Sequence, residues 1–184
     1  LTLCSASGAG YYGSRGDDIL KEDERAGSDF LAGVSKDWEQ EALGASAKGV
    51  RVAIMRFGVI LGKNGGAMSK LIPPFKMFVG GPLGDGNQWF PWLHLDDLMA
   101  AIEFVLDHQK VSGPLNFCGP NPVRNRELAQ ALGDALGRPS FMPAPAFMIR
   151  LFTGEFGDVF LGSQRTLPDR LLNHGFSFKY PEIR

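Results

Sequence analysis

Three stretches of this chain carry residue types that could do chemistry. Arg56 stands inside Val50–Leu61, VRVAIMRFGVIL, a run otherwise apolar almost throughout. A guanidinium in such a run must either pair with a carboxylate or reach a cleft that holds a phosphate or carboxylate. Ser5–Gly13, SASGAGYYG, is a turn of small residues that ends in two tyrosines, Tyr11 and Tyr12. Gly84–Leu98, GDGNQWFPWLHLDDL, sets a Gly-Asp-Gly turn beside Trp89, Phe90 and Trp92. So many bulky side chains beside turn residues read either as a binding-cleft wall or as core. Two other chemistries are disfavoured. His94, His108 and His174 lie far apart and outside any ligand motif, so no metal site is expected. Gly62–Gly66, GKNGG, lacks the spacing and the Ser or Thr of a phosphate-binding loop and reads as a turn.

The elements that must position these residues alternate between strand and helix. Leu1–Ser5 reads as a buried strand, and Ser14–Gly27, with Asp17, Asp18, Glu22, Asp23 and Glu24, as a solvated loop. Asp29 or Ser28 can cap a helix to Leu43 with Phe30, Val34, Trp38 and Ala42 on its inner face, leaving Lys36 and Glu39 on others. Val50–Leu61 reads as one strand of a parallel sheet covered on both faces. Ala67–Phe78 is helical, with Pro73 and Pro74 expected to break or kink it. Trp89–Leu95 alternates as a strand and leads into a helix capped by Asp96 or Asp97, with Leu98, Ile102, Val105 and Leu106 inward. Pro114–Cys118 is a further strand, and Asn125 caps a helix lined by Leu128, Leu132 and Leu136 and closed by Gly137. From Pro139 the pattern weakens into a Pro-rich connector, the apolar Phe147–Phe152, a Gly-containing stretch, a short helix from Pro168 to His174 and an edge strand over Phe176–Tyr180.

Composition narrows the functional classes. At 184 residues the chain is one domain of ordinary size or part of a larger one. A net charge of −1 leaves no basic field for a nucleic-acid backbone. Cys4 and Cys118 lack CxxC spacing and read as free thiols of a reducing compartment. No apolar run is long enough to span a membrane and the start lacks a signal peptide, so a cytoplasmic protein without a membrane partner is expected.

In order along the chain, SASGAGYYG, Asp37-Trp38-Glu39, RFGVILGKNGG, GGPLGDGNQWFPWLHLDD and GPLNFCGPNPV resemble the atypical extended short-chain dehydrogenase/reductases called epimerase-family or "cell division inhibitor"-like proteins. The resemblance covers essentially the whole chain. It implies an α/β fold: the C-terminal portion of a Rossmann-type doubly wound parallel sheet, with a small mixed α/β lobe on the substrate side. It also implies that residues 1–184 are the C-terminal part of one dinucleotide-binding domain whose Gly-rich N-terminal half is absent. With βα units of roughly 30 residues, four missing strands amount to roughly 100 residues or more.

The same resemblance implies an NADP cofactor, with NAD as the alternative, a small-molecule substrate, and compatibility with a homodimer. In such enzymes a tyrosine is the general acid/base, a lysine four residues later lowers its pKa and holds the nicotinamide ribose, and a serine orients the substrate oxygen. With Lys36 as the lysine, the tyrosine position is Ala32, or Leu31 if the register slips by one. Neither can transfer a proton. Ser7 or Gly8 holds the serine position, and Tyr11 and Tyr12 are the nearest substitute acids. The resemblance thus assigns Ser7, Tyr11 and Lys36 to catalysis; Ser5, Ser7, Lys36, Arg56, Phe57, Gly58 and Val59 to the cofactor; and Tyr12, Gln88, Trp89, Phe90 and Trp92 to the substrate. Sugar-nucleotide members bind their diphosphate with an arginine where this chain has Phe90, so an apolar or weakly charged ligand is expected. The activity implied is reduction or epimerisation of a small molecule, the rival being a dinucleotide-binding protein without turnover that serves a protein partner.

Overall fold

The computed structural model describes residues 1–63, 65–153 and 160–183. Its central sheet is parallel, in the order β1 (Thr2–Gly8), β3 (Arg51–Phe57), β8 (Gly113–Phe117). β1 and β3 run in register from Thr2 opposite Arg51 to Gly8 opposite Phe57, and Arg56 lies between Ser7 and Asn116. α1 (Phe30–Leu43) packs on β1, while α3 (Leu95–Asp107) and the buried Phe176 close a core around Ala53, Met55, Val105, Leu115 and Phe117. This is the Rossmann-type α/β arrangement expected.

The small mixed lobe is also present. β4 (Val59–Gly62) pairs in parallel with β7 (Trp92–His94) and antiparallel with β5 (Gly65–Gly66), and β6 (Trp89–Phe90) pairs antiparallel with β9 (Val123–Arg124). α2 (Met68–Lys76) and α4 (Asn125–Leu136) enclose a second core of Phe75, Phe90, Trp92, Leu128, Ala129 and Leu132. β2 (Ile19–Leu20) pairs with β10 (Arg165–Thr166), and α5 (Ala146–Thr153) and α6 (Asp169–Asn173) are two further helices. The Gly84–Gly86 turn forms as expected, both glycines having φ near 60–70° (62° and 70°) and Asp85 accepting the Asn87 N–H.

Several sequence expectations are corrected. β1 is only partly buried in this chain, as the outermost of the three described strands, with Leu3 exposed on it. Val50–Leu61 is two strands in two sheets, divided at Gly58, whose N–H donates to Phe117 while that of Val59 donates to Pro91. Trp89–Leu95 is likewise two strands, parted by Pro91, which has no N–H to give a ladder. The inner residues of α1 are Ala32 and Glu39, whereas Phe30, Val34 and Trp38 are exposed. The face turned inward carries the small Ala32 and the Glu39 of a buried ion pair with Arg56 rather than the large apolar residues.

Pro73 and Pro74 sit inside α2, which continues past them; each still offers its carbonyl, to Met77 and Val79. His94, not an aspartate, caps α3, its Nδ1 accepting the Asp96 N–H, and Leu106 is exposed. α4 begins one residue early, since Arg124 is its cap and donates its N–H to Glu127 at 2.5 Å. Phe176–Tyr180 forms no strand: the N–H groups of Lys179 and Tyr180 go to the Asp97 carboxylate at 2.8 and 2.9 Å instead of to a ladder. Most of the Gly-containing stretch after Phe152 lies outside the described residues.

Candidate functional site

The site is built where β1 and β3 end, the edge at which open parallel sheets place ligands. Glu39, carried inward by α1, chelates Arg56 through Oε1 at 2.8 Å and Oε2 at 2.7 Å, and its Oε1 also accepts the Ser7 hydroxyl at 2.7 Å. Both charged side chains are almost wholly buried, at 2% and 5% exposure, so each depends on the other for its charge. The guanidinium lies 3.5 Å from the centroid of the Tyr11 ring and donates to the Tyr12 hydroxyl at 2.9 Å. Tyr12 in turn donates to Asn116 Oδ1 at 2.7 Å. Burial drives the Tyr12 phenol well above its usual range; it stays neutral and serves as a hydrogen-bonding post.

Glu22 is the unforeseen member. Read from the sequence as part of a solvated loop, it is buried; Oε1 accepts the N–H groups of Asn116 and Arg170 at 3.0 and 3.2 Å, while Oε2 has no hydrogen-bond partner among the described residues. Desolvation raises its pKa above the usual carboxylate value. No local signal marks it, since both donors come from segments over 90 residues away.

The expected site residues do not all come together. Ser7, Tyr11, Tyr12 and Arg56 meet around Glu39. Lys36 is exposed on α1 one turn before Glu39, without a hydrogen bond or ion pair among the described residues, and Ser5 accepts the Trp38 indole N–H at 3.2 Å. Ala32, at the tyrosine position, is fully buried. Phe57 ends β3, and the amides of Gly58 and Val59 are already given to Phe117 and Pro91. Phe90 and Trp92 lie in the second core, and the buried Gln88 donates to the Leu83 and Phe160 carbonyls. Trp89 alone of the three aromatics is half-buried, its indole N–H on Asp17 at 2.7 Å.

A cavity of about 340 Å³ opens elsewhere, between α2, α4 and the C-terminal segment, with Trp92, His94, Leu128 and Tyr180 among its walls. It shares no residue with the Glu39 cluster. Among the described residues there is no group of side chains able to hold a metal and no helix long and apolar enough to cross a membrane. Both cysteines are free, and burial pushes the Cys118 thiol up to about 12.

The donor set fits a nicotinamide ribose and ring. An unpaired ammonium stands at Lys36, a hydroxyl at Ser7, and Gly8 and Gly10 leave the strand end without side-chain cover, a Cβ on Gly10 meeting nothing within 4 Å.

A model described as the NAD dependent epimerase/dehydratase family matches residues 5–118, and a domain of unknown function (DUF1731) matches residues 144–184. The chain is 46% identical over 182 residues to "Epimerase family protein SDR39U1 homolog, chloroplastic" of Arabidopsis thaliana, covering 99% of this chain and 52% of that protein. The human epimerase family protein SDR39U1 (isoform 2), solved with NADPH, superposes with a TM-score of 0.90 at 33% identity, over 99% of this chain and 62% of that one. A nucleoside-diphosphate sugar epimerase from Corynebacterium glutamicum superposes with a TM-score of 0.80 at 38% identity, over 99% of this chain and 35% of that one. The chain thus spans about half the length of the Arabidopsis protein, 52%.

Proposed function

The chain belongs to the NAD-dependent epimerase/dehydratase family, and from that premise we propose that the protein binds NADP(H) and reduces or epimerises a small molecule. The observation that carries this reading is the unpaired Lys36 on α1, one turn from the carboxylate that holds Ser7. Residues 1–184 would supply the nicotinamide side of the site, and the rest of the full-length protein the glycine-rich cradle for the phosphates. A bound nicotinamide would supply the hydride that is given or taken.

The roles of this chain's own residues follow from their surroundings. Lys36 would hold the ribose hydroxyls. Ser7, its proton directed to Glu39, would offer its oxygen as an acceptor. Tyr12 is fixed by Asn116 and Arg56 and kept neutral by burial, which leaves Tyr11 as the phenol free to exchange a proton. Human SDR39U1, solved with NADPH, supports the cofactor.

A second reading, dinucleotide binding without turnover, is favoured by the buried Ala32 at the tyrosine position. Full-length protein separates the two. Bound dinucleotide should co-purify with it, and reduced nicotinamide should be consumed against a panel of carbonyl compounds, with Lys36→Met weakening binding about tenfold. Tyr11→Phe should lower kcat by two to four orders of magnitude, roughly 10²–10⁴-fold, and leave dinucleotide affinity unchanged. Binding without turnover would select the second reading; absence of binding would remove both.

A further inference from the structure

One face of the small lobe is apolar, basic and open. Met77, Phe78 and Val79, just past the end of α2, and Phe141 and Met142, in the connector after α4, keep between 46% and 75% of their surface exposed. The two segments lie side by side: the Met142 N–H donates to Gly80 at 3.2 Å, that of Ala144 to Pro82 at 2.9 Å, and Leu83 bridges to Ala144 in parallel. Phe78 has a φ of 64°, the one positive value among the described non-glycine residues, in a region that bulky side chains seldom adopt. Burial does not offset this strain, since the ring is 56% exposed with the Arg138 guanidinium 4.5 Å from its centroid. A strained aromatic held outward points to a use for it. The surrounding charge has one sign. Residues 42–84 and 135–154 contain no Asp or Glu. Lys70 and Lys76 are exposed on α2 and make no hydrogen bond or ion pair among the described residues; Lys70, Pro74 and Met77 follow one another along one side of it. Asp134, the carboxylate nearest in sequence to the connector, accepts from Gln130.

We propose that this face docks the protein peripherally on an anionic bilayer surface. Apolar side chains flanked by unpaired cations suit such a surface: rings and thioethers enter the boundary between headgroups and acyl chains, while ammonium and guanidinium groups meet lipid phosphates. A protein partner ordinarily meets a polar rim that carries both signs of charge. A face without carboxylates matches a continuous field of negative charge instead. Interfacial docking needs no spanning helix, and none is present among the described residues. The platform is firm, because a Cβ on Gly81 would strike the Met142 carbonyl, so the two segments are pressed together main chain to main chain. The patch rises from Phe75, whose carbonyl accepts the Phe78 N–H at 2.9 Å and whose ring belongs to the second core. The Glu39 cluster stands on the central sheet. Docking and the proposed nicotinamide chemistry thus use different residues, and neither depends on the other.

The test floats full-length protein with vesicles of phosphatidylcholine, either alone or with about one-third phosphatidylglycerol. The protein should rise with the anionic vesicles, less with the neutral ones, and be released as salt is raised. Phe78→Asn removes the ring yet suits a positive φ, so it should keep or raise the melting temperature while lowering the partition coefficient about tenfold. Lys76→Gln should lower it about fivefold on anionic vesicles and leave it unchanged on neutral ones. Met99→Gln, which removes an exposed apolar side chain from α3, should have no effect. Should Phe78→Asn not fold by circular dichroism, Phe141→Ser in the connector carries the comparison. No flotation with anionic vesicles, or flotation undiminished by Phe78→Asn and Phe141→Ser, overturns the proposal. A dimer that forms without vesicles and is dissociated by Phe78→Asn would assign the face to a second copy of the chain and overturn it as well.

Discussion

At the scale of single residues, the candidate site is a set of charges that exist only because of one another. Arg56 was readable as a problem, a guanidinium in an apolar run, but its solution was not: Glu39 stands on a helix whose apolar residues advertise the opposite face. Trp89 was readable as a binding residue by type, yet its ring is overlaid by Arg124 and Arg165, distant in sequence. Glu22 was hidden among neighbouring acids, and it yields a pH prediction. Its native pKa lies above the usual 4.5. Below that value both folded and unfolded chains keep the proton. As pH rises through the window up to the raised native pKa, the unfolded chain releases its proton first, so the native state loses stability. Urea midpoints should therefore fall with pH across this window, and Glu22→Gln should flatten that fall.

At the scale of elements, the parallel strands β3 and β8 and the helix α4 follow from sequence patterns that need no partner: continuous apolar runs, and leucines at helical spacing closed by Gly137 at φ 60°. Elements held by side-chain-to-backbone bonds do not announce themselves this way. The segment Phe176–Tyr180 alternates like a strand, but the carboxylate of Asp97, buried at the start of α3, takes its N–H groups. That carboxylate, together with Phe176 and Phe178 in the core, holds the C-terminal segment down. Asp97→Asn would turn an amide N–H₂ toward one of these two backbone donors and should cost about 1–3 kcal/mol in urea unfolding. The loss should appear as earlier hydrogen exchange at Lys179 and Tyr180, with α4 protected as before.

For the whole molecule, the Rossmann-type sheet and the small lobe were both foreseen, and the seam between them was not, because a single glycine in an apolar run looks like an ordinary strand residue. Gly58 is where the chain crosses from one sheet to the other. A Cβ there would meet the Pro91 carbonyl oxygen at 2.6 Å and its carbon at 3.0 Å, backbone atoms that cannot swing aside. Gly58→Ala should accordingly lower stability by about 1–3 kcal/mol and broaden the amide spectrum of both lobes together. Around this glycine, Gly58 donates to Phe117, Val59 to Pro91, and Gly119 to Trp92. The consequence is mechanical: the end of β3 and the strands on either side of Pro91 are welded main chain to main chain, so the two lobes cannot part along this line as a jaw would.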